Sequence, residues 1–223
     1  MAKRSEAVRG RLSRAAIIAC AITLADQEGL EAVTIRRLAQ EQGVTPMAMY
    51  WHFSDKDSLL DGIADALVAA VELPEPSDQP WHDQVRGIFA AFLEAIRPHP
   101  AVAGLALRRI LTSEPGLAIA ERALGLLRSA GFPPDRAAEC GSFVLCAVIT
   151  LVTSQPGRPI PAMDHDARDQ MFREKRAALE VLSPARYPNV MAAAPSLVAC
   201  ADDDAYFALN LDLLIQGLRG IKP

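Results

Sequence analysis

The chain has 223 residues, of which 51% are apolar and 22% are charged, enough apolar material to build a sizeable core in one large or two small domains. This composition excludes a disordered chain, a collagen-like repeat and a small disulfide-stabilised protein. Aromatic residues make up only 5% and alternating runs of β-branched residues are missing. The sequence therefore predicts an all-α fold.

Charge is distributed unevenly along the chain. Residues 1–14 carry a net charge of +4, so the rest of the chain carries −8 within a total of −4. A basic, flexible arm over residues 1–12 on an acidic body is typical of a protein that binds a polyanion at one end. A solvated tail without a partner explains the same charges equally well.

The basic start lacks the continuous apolar stretch and cleavage site of a secretory signal. The most apolar window, Phe143 to Val152, is shorter than the roughly 20 residues of a membrane span. A cytoplasmic protein with no membrane partner is therefore expected. Cysteines 20, 140, 146 and 200 lie far apart without a C-x-x-C pair and are expected to be core thiols.

Four helices are predicted in the first third of the chain. Ser13 caps a helix over 14–28, and Thr34 opens a short second helix that stops at the glycine turn 42–44. Thr45 and Pro46 then open a third helix that runs to Trp51.

A capping signal at Ser54, with Asp57 three residues later, opens the fourth helix over 55–72. Prolines 74 and 76 end it, so we place a domain boundary there. The expected domains are 13–73 and 78–223. In the second domain, helices are predicted over 80–97, 100–112, 116–130, 134–154, 166–182 and 203–219, with irregular stretches over 155–164 and 183–201.

Two short helices joined by a glycine turn, with a cap immediately opening the second, are the pattern of a helix-turn-helix. In that motif the second helix enters the DNA major groove, about 12 Å wide, while the first rests against backbone phosphates. Tyr50, Trp51 and His52 are consecutive, so they cannot all face one core and at least one must face solvent or a partner. Met49 and Phe53 are expected in the core.

Residues 34–45 (TIRRLAQEQGVT) and 48–60 (AMYWHFSDKDSLL) resemble the DNA-binding signature of the tetracycline-repressor (TetR) family of bacterial transcriptional regulators. The resemblance covers roughly residues 14–72. It implies a helix-turn-helix domain joined by a connecting helix to a C-terminal helical domain that binds a ligand and dimerises. The implied function is a ligand-responsive regulator, a repressor, that binds palindromic double-stranded operator DNA as a homodimer and is released by a small-molecule effector.

The same resemblance implies which residues contact DNA. Arg36 matches the position that reaches a base edge from the second helix, and Thr34 and Lys56 match positions that contact phosphate. The recognition-helix positions are Thr45, Pro46, Met47, Ala48, Tyr50, Trp51 and His52. Residues 46–48 replace the polar reading residues of the tetracycline repressor, so a different operator sequence is expected.

The C-terminal part is similar to the ligand-binding domain of the tetracycline-repressor subclass, on residues 186–190 (RYPNV) and the apolar series from Phe207 to Leu218. Residues 80–180 match only in helix pattern. The residues that would bind tetracycline and magnesium have no convincing match, so neither ligand is implied and no cofactor is expected.

Helices 134–154 and 203–219 carry more apolar faces than one side of a core can use. They are expected to pair with their symmetry copies in a four-helix interface, although two central core helices of a monomer would show the same pattern. The interface candidates are Val144, Val148, Leu151, Phe207, Leu211, Leu214 and Leu218.

Candidate walls of an effector pocket are Phe89, Phe92, Leu105 and Phe143, although core packing explains each equally well. Few charges fall on those helix faces, so an apolar or amphipathic effector is expected.

Histidines 82, 99 and 165 share no helix face at ligand spacing, so no metal site is predicted. Aspartates 164, 166 and 169 are interpreted as a charge bias at a helix N-terminus. Two other functions stay open: a ligand-independent DNA-binding protein, and a small helical enzyme, for which the sequence has no nucleophile–base pattern or phosphate-binding loop.

Overall fold

The computed structural model describes residues 12–158 and 160–221, and within these ranges the chain is all-α, as predicted. Residues 1–11 of the predicted basic arm lie outside the described residues. The helices are α1 (Arg14–Glu28), α2 (Ile35–Glu41), α3 (Pro46–Tyr50), α4 (Lys56–Ala69), α5 (Trp81–Ile96), α6 (Glu114–Ser129), α7 (Pro134–Thr153), α8 (His165–Glu180), α9 (Pro188–Val198) and α10 (Asp203–Gly220). Two 3₁₀ helices, Leu30–Ala32 and Ala103–Arg108, lie between them.

Two hydrophobic clusters organise the molecule. Helices α1 to α4 enclose the N-terminal cluster, whose centre includes Ile17, Leu38 and Ile63. Helices α5, α6, α7 and α10 enclose the C-terminal cluster, whose centre includes Phe92 and Leu127. The two clusters meet where the 3₁₀ helix at 103–108 packs against α4. The N-terminal and C-terminal helices are therefore in direct contact at this position.

Three local predictions are wrong. Residues 100–112 form turns around a 3₁₀ helix rather than an α-helix, because Pro100 and Gly104 disfavour a regular helix. Residues 188–198 form α9 although an irregular stretch was expected, because Pro188 occupies the first turn, where a proline is tolerated. The cap of α4 is Asp55 rather than Ser54.

Helix α7 is long and apolar enough to cross a membrane by length and composition alone, which is weak evidence for a span. It packs instead against α5, α6 and α10. It lies at the edge of the bundle and leaves Phe143 and Cys146 exposed, so the other helices of the chain cover only part of its apolar surface. The expectation of core thiols holds for Cys140, where burial raises the thiol pKa, and fails for Cys146.

Candidate DNA-binding surface

The helix-turn-helix is built by α2, a glycine turn and α3. Gly43 in the turn has a φ of +63°, in the left-handed region that residues with a Cβ rarely adopt. Thr34 caps α2 by accepting a hydrogen bond from the backbone N–H of Arg37 (3.1 Å). Thr45 caps α3 by accepting one from the backbone N–H of Ala48 (3.4 Å). These local signals explain why the sequence forms two short helices with a sharp turn between them.

Residues 49–53, at the end of α3 and directly after it, divide their side chains between the core and solvent as predicted. Met49 and Phe53 are buried in the N-terminal cluster. Trp51 is 86% exposed, an unusual environment for an indole, and Tyr50 is also exposed. His52 is half-buried. An exposed aromatic pair on a short capped helix is suited to contact a partner that supplies the missing apolar surface.

The remaining DNA candidates lie around this helix. Thr34, Thr45, Pro46 and Met47 are exposed and Ala48 is half-buried. Arg36 on α2 and Lys56 at the start of α4 are both exposed. The structure therefore leaves the predicted DNA-binding residues accessible, and His52 and Ala48 are the least accessible of them.

The two adjacent arginines of α2 have different environments. Arg37 forms ion pairs with Glu28 (2.7 Å) and Glu41 (2.8 Å), and these two carboxylates raise its pKa. It therefore ties α2 to α1. Arg36 points to solvent instead, so of the two it is the side chain available to an external partner.

The end of the recognition helix is fixed by a contact that sequence analysis missed. Arg14 Nη1 donates to the carbonyl oxygen of His52 (2.9 Å), and its guanidinium lies 4.3 Å from the centre of the Phe53 ring. A Cβ at Gly62 would lie 3.0 Å from Phe53 Cε1, so α4 packs tightly here. The residues are 38 positions apart in sequence, and no local pattern pairs them.

The four predicted effector-pocket residues do not come together. Phe89 lines an apolar groove of about 300 Å³ between the 3₁₀ helix, α5, α6 and α7, which we call the α5–α7 groove. Phe92 is buried in the C-terminal cluster, and Leu105 packs against the N-terminal cluster. Phe143 is exposed on the opposite side of α7. Other residues that line the groove include Leu107, Ile110, Ile119 and Leu145.

Most of the predicted dimer residues are core residues of a single chain. Val144, Val148, Phe207, Leu211 and Leu218 are buried in the C-terminal cluster, so they have almost no free surface for a second copy. The interface prediction is wrong for these five residues, because apolar residues at helical spacing occur on the face of a helix that packs inside the chain as well as on a face that contacts a second copy.

Leu151 and Leu214 are only partly buried and lie beside the outward side of α7 and α10. Together with Phe143, Ala147 and Leu213 they line a surface hollow of about 550 Å³, which we call the α7–α10 face.

Each of the three C-terminal histidines lies beside an aspartate. The Nδ1 atoms of His82, His99 and His165 lie 3.0 Å, 2.7 Å and 3.2 Å from Asp83, Asp26 and Asp169 respectively. The described residues contain no group of three or more potential metal ligands. Asp164 caps α8, which confirms the interpretation of the acidic cluster there.

This fold and this surface define a helix-turn-helix DNA-binding protein with a second, helical domain. Residues 17–63 match the family described as "Bacterial regulatory proteins, tetR family", and residues 73–221 match "Tetracyclin repressor-like, C-terminal domain". The chain belongs to the TetR family, a family of ligand-responsive, DNA-binding transcriptional regulators rather than enzymes.

Individual relatives agree with this assignment. The chain is 31% identical over 144 residues to an "HTH-type transcriptional regulator" from Saccharopolyspora erythraea, an alignment that covers 65% of this chain and 61% of that protein. It is 26% identical over 214 residues to "Tetracycline repressor protein class C" from Escherichia coli, covering 95% and 93% of the two chains. It is similar to the crystal structure of Streptomyces coelicolor ActR in complex with actinorhodin, with a TM-score of 0.72, 29% identity, and coverage of 93% and 97%.

Proposed function

We propose that this protein is a cytoplasmic repressor that binds a palindromic operator as a homodimer through residues 13–73. A small-molecule effector, bound within residues 78–223, releases it. The observation that carries this proposal is that one segment, residues 101–111, lines the α5–α7 groove and also holds α4 of the DNA-binding domain. We call it the coupling segment.

The proposed DNA contacts fall into two kinds. Arg36, Tyr50 and Trp51 would reach base edges in the major groove from α2 and α3, where hydrogen bonds and apolar contacts distinguish base pairs. Thr34 and Lys56 would contact phosphates, which gives affinity without sequence preference. The exposed indole of Trp51 supports this placement, because a protein–DNA contact removes apolar surface that the free chain leaves in water.

A homodimer is supported by the α7–α10 face. It exposes Phe143 and Leu213 on neighbouring helices, with a hollow between them. A twofold axis through this face would bring the same patch of both copies together. The two recognition helices would then read two half-sites about 34–36 Å apart, or a multiple of that distance.

Coupling between the groove and the DNA-binding domain depends on a row of aspartates on α4. Arg109 Nε lies 2.6 Å from Asp65 Oδ1, and Arg108 Nε lies 3.0 Å from Asp61 Oδ1. Arg108 also lies 3.5 Å from Asp57. Leu107 and Ile110 of the same segment face the groove. An effector that moves this segment would therefore move the ion-paired face of α4.

The free energy of these ion pairs can be compared with the free energy needed to release DNA. Partly exposed pairs each contribute about 0.2–1 kcal/mol. Tenfold release of DNA needs an effector that favours the unbound geometry by about 1.4 kcal/mol. Rearranging two or three such pairs is therefore comparable to the free energy required, and no single strong contact has to break.

A second connection between the domains lies at the C-terminal end of α1. His99 Nδ1 lies 2.7 Å from Asp26 Oδ2, and the backbone N–H of Ala162 donates to the carbonyl oxygen of Gln27 (2.8 Å). Because α1 contacts the end of the recognition helix at Arg14, a tilt of α1 would also change the position of α3.

The test is operator binding by variants of Arg36 and Lys56. The operator is first obtained from the DNA upstream of the coding region or by selection from a randomised duplex. Arg36→Ala should cost about 1–3 kcal/mol on the operator and relax the preference at one base pair. Lys56→Ala should weaken binding to all DNA sequences by a similar factor. It should also lower the slope of log affinity against log salt concentration by about one. Equal loss on operator and random DNA for Arg36→Ala would overturn the base contact.

A further inference from the structure

The α5–α7 groove is almost purely apolar. Its buried walls include Phe89 and Ile119, and its rim includes Leu111, which is 70% exposed. A leucine this exposed, next to a hollow of about 300 Å³, leaves apolar surface in water that an apolar occupant would cover. This volume lies at the small end of the range for ligand sites.

The polar groups of the groove are few and uncharged. Only Ser142 and Cys146 contribute a polar side chain to its lining, both near the mouth on exposed positions of α7. Within the described residues no carboxylate, imidazole, ammonium or guanidinium lines it. A charged ligand group would lose its water and find no partner of opposite charge. A magnesium chelate would find none of the carboxylate oxygens that magnesium sites use.

We propose that the effector is a small, electrically neutral, apolar molecule that binds this groove without a metal ion, with Ser142 Oγ as a hydrogen-bonding group at the mouth. This inference rests on the proposed function, which makes the groove the effector site, and it names the chemical class of the effector.

The test uses two fluorescent probes with the same aromatic framework, neutral N-phenyl-1-naphthylamine and its sulfonated analogue 8-anilino-1-naphthalenesulfonate. The wild type should bind the neutral probe about tenfold more tightly, because the sulfonate must be desolvated without a cationic partner. Ser142→Lys should weaken binding of the neutral probe and strengthen binding of the anionic probe, so that the anionic probe binds more tightly. Ser129→Lys makes the same change at an exposed serine at the end of α6, outside the groove, and should alter neither.

Two further variants keep the result interpretable. Leu111→Lys places a cation on the exposed rim of the groove and is the second test variant if Ser142→Lys folds poorly. It should also weaken binding of the neutral probe and strengthen binding of the anionic one. Leu213→Glu, on the α7–α10 face, should leave the neutral probe bound in the groove. Loss of the neutral probe in Leu213→Glu with retention in both lysine variants would overturn the proposal. Equal binding of both probes by the wild type would also overturn it, as would a magnesium-dependent rise in melting temperature with tetracycline.

Titrating the neutral probe into the protein–operator complex separates the two proposals. Probe binding in the groove that leaves operator affinity unchanged would support the ligand class and contradict ligand-responsive release. A protein that binds its operator but shows no binding of the neutral probe would contradict the ligand class while leaving the DNA-binding function intact.

Discussion

Replacing Leu213 by glutamate should convert the protein into a folded monomer that binds operator weakly. Leu213 is 61% exposed and Phe143 is 63% exposed on the α7–α10 face. Full burial of such a side chain contributes about 1.5–3 kcal/mol. Roughly 1–2 kcal/mol per side chain is therefore gained only when a second copy covers it. A twofold interface uses each position twice, which gives roughly 4–8 kcal/mol from these two residues.

Leu213→Glu removes roughly 2–4 kcal/mol of that contribution and places a carboxylate from each copy in the interface. Because 1.4 kcal/mol is a factor of ten, dimer dissociation should become easier by roughly 30-fold or more. Sedimentation velocity at micromolar concentration measures the oligomeric state, and a binding assay on the palindromic operator measures the functional consequence. Far-UV circular dichroism and thermal unfolding establish that the variant is folded.

Two other leucines provide the comparison. Leu211, which the sequence pattern also favoured for the interface, is only 2% exposed, so Leu211→Glu should unfold the chain rather than dissociate a dimer. Leu117 on α6 is exposed outside this face, and Leu117→Glu should leave both dimer and DNA binding unchanged. A Leu213→Glu protein that sediments as a dimer and binds operator like the wild type would refute the reasoning, as would a monomeric wild type.

A double-mutant cycle of Arg109→Gln and Asp65→Asn should show a favourable coupling between the two side chains in urea unfolding; additive effects would remove this ion pair from the switch. Hydrogen bonds from the backbone N–H of Ser58 and from Ser54 lower the pKa of Asp55. Its cap on α4 therefore stabilises the fold above the ordinary pKa of 3.8 and is lost as the pH falls through the lower folded value. The melting-temperature difference between wild type and Asp55→Ala should shrink as the pH falls below 3.8, and a constant difference would contradict this. Gly43→Ala should lower the free energy of unfolding by roughly 1–2 kcal/mol, because alanine rarely adopts the positive φ of this position. A steric clash is not the cause, since an added Cβ would have no neighbouring atom within 4 Å. Gly43→Asn should cost less, and equal costs would contradict that cause.

The sequence by itself determined the helix-turn-helix. Thr34, Thr45 and Gly43 act through hydrogen bonds and backbone angles within four residues, so their effect can be read locally. The division of α3 into core and exposed positions follows from helix geometry, because neighbouring residues point in different directions. Local signals failed at Pro188, where a proline begins a helix instead of breaking one.

Only the tertiary structure decided the α5–α7 groove, the α7–α10 face and the contacts between domains. Arg109 meets Asp65, and Arg14 meets His52, across long stretches of sequence. An apolar residue at helical spacing is equally compatible with the chain's own core, a ligand groove or a second copy. Leu211 and Leu214 recur at helical spacing on α10 and are both expected in the interface, yet Leu211 is buried and Leu214 is only partly buried. The difference depends on which helices pack against α10, and burial is a property of the packed assembly rather than of the residue type.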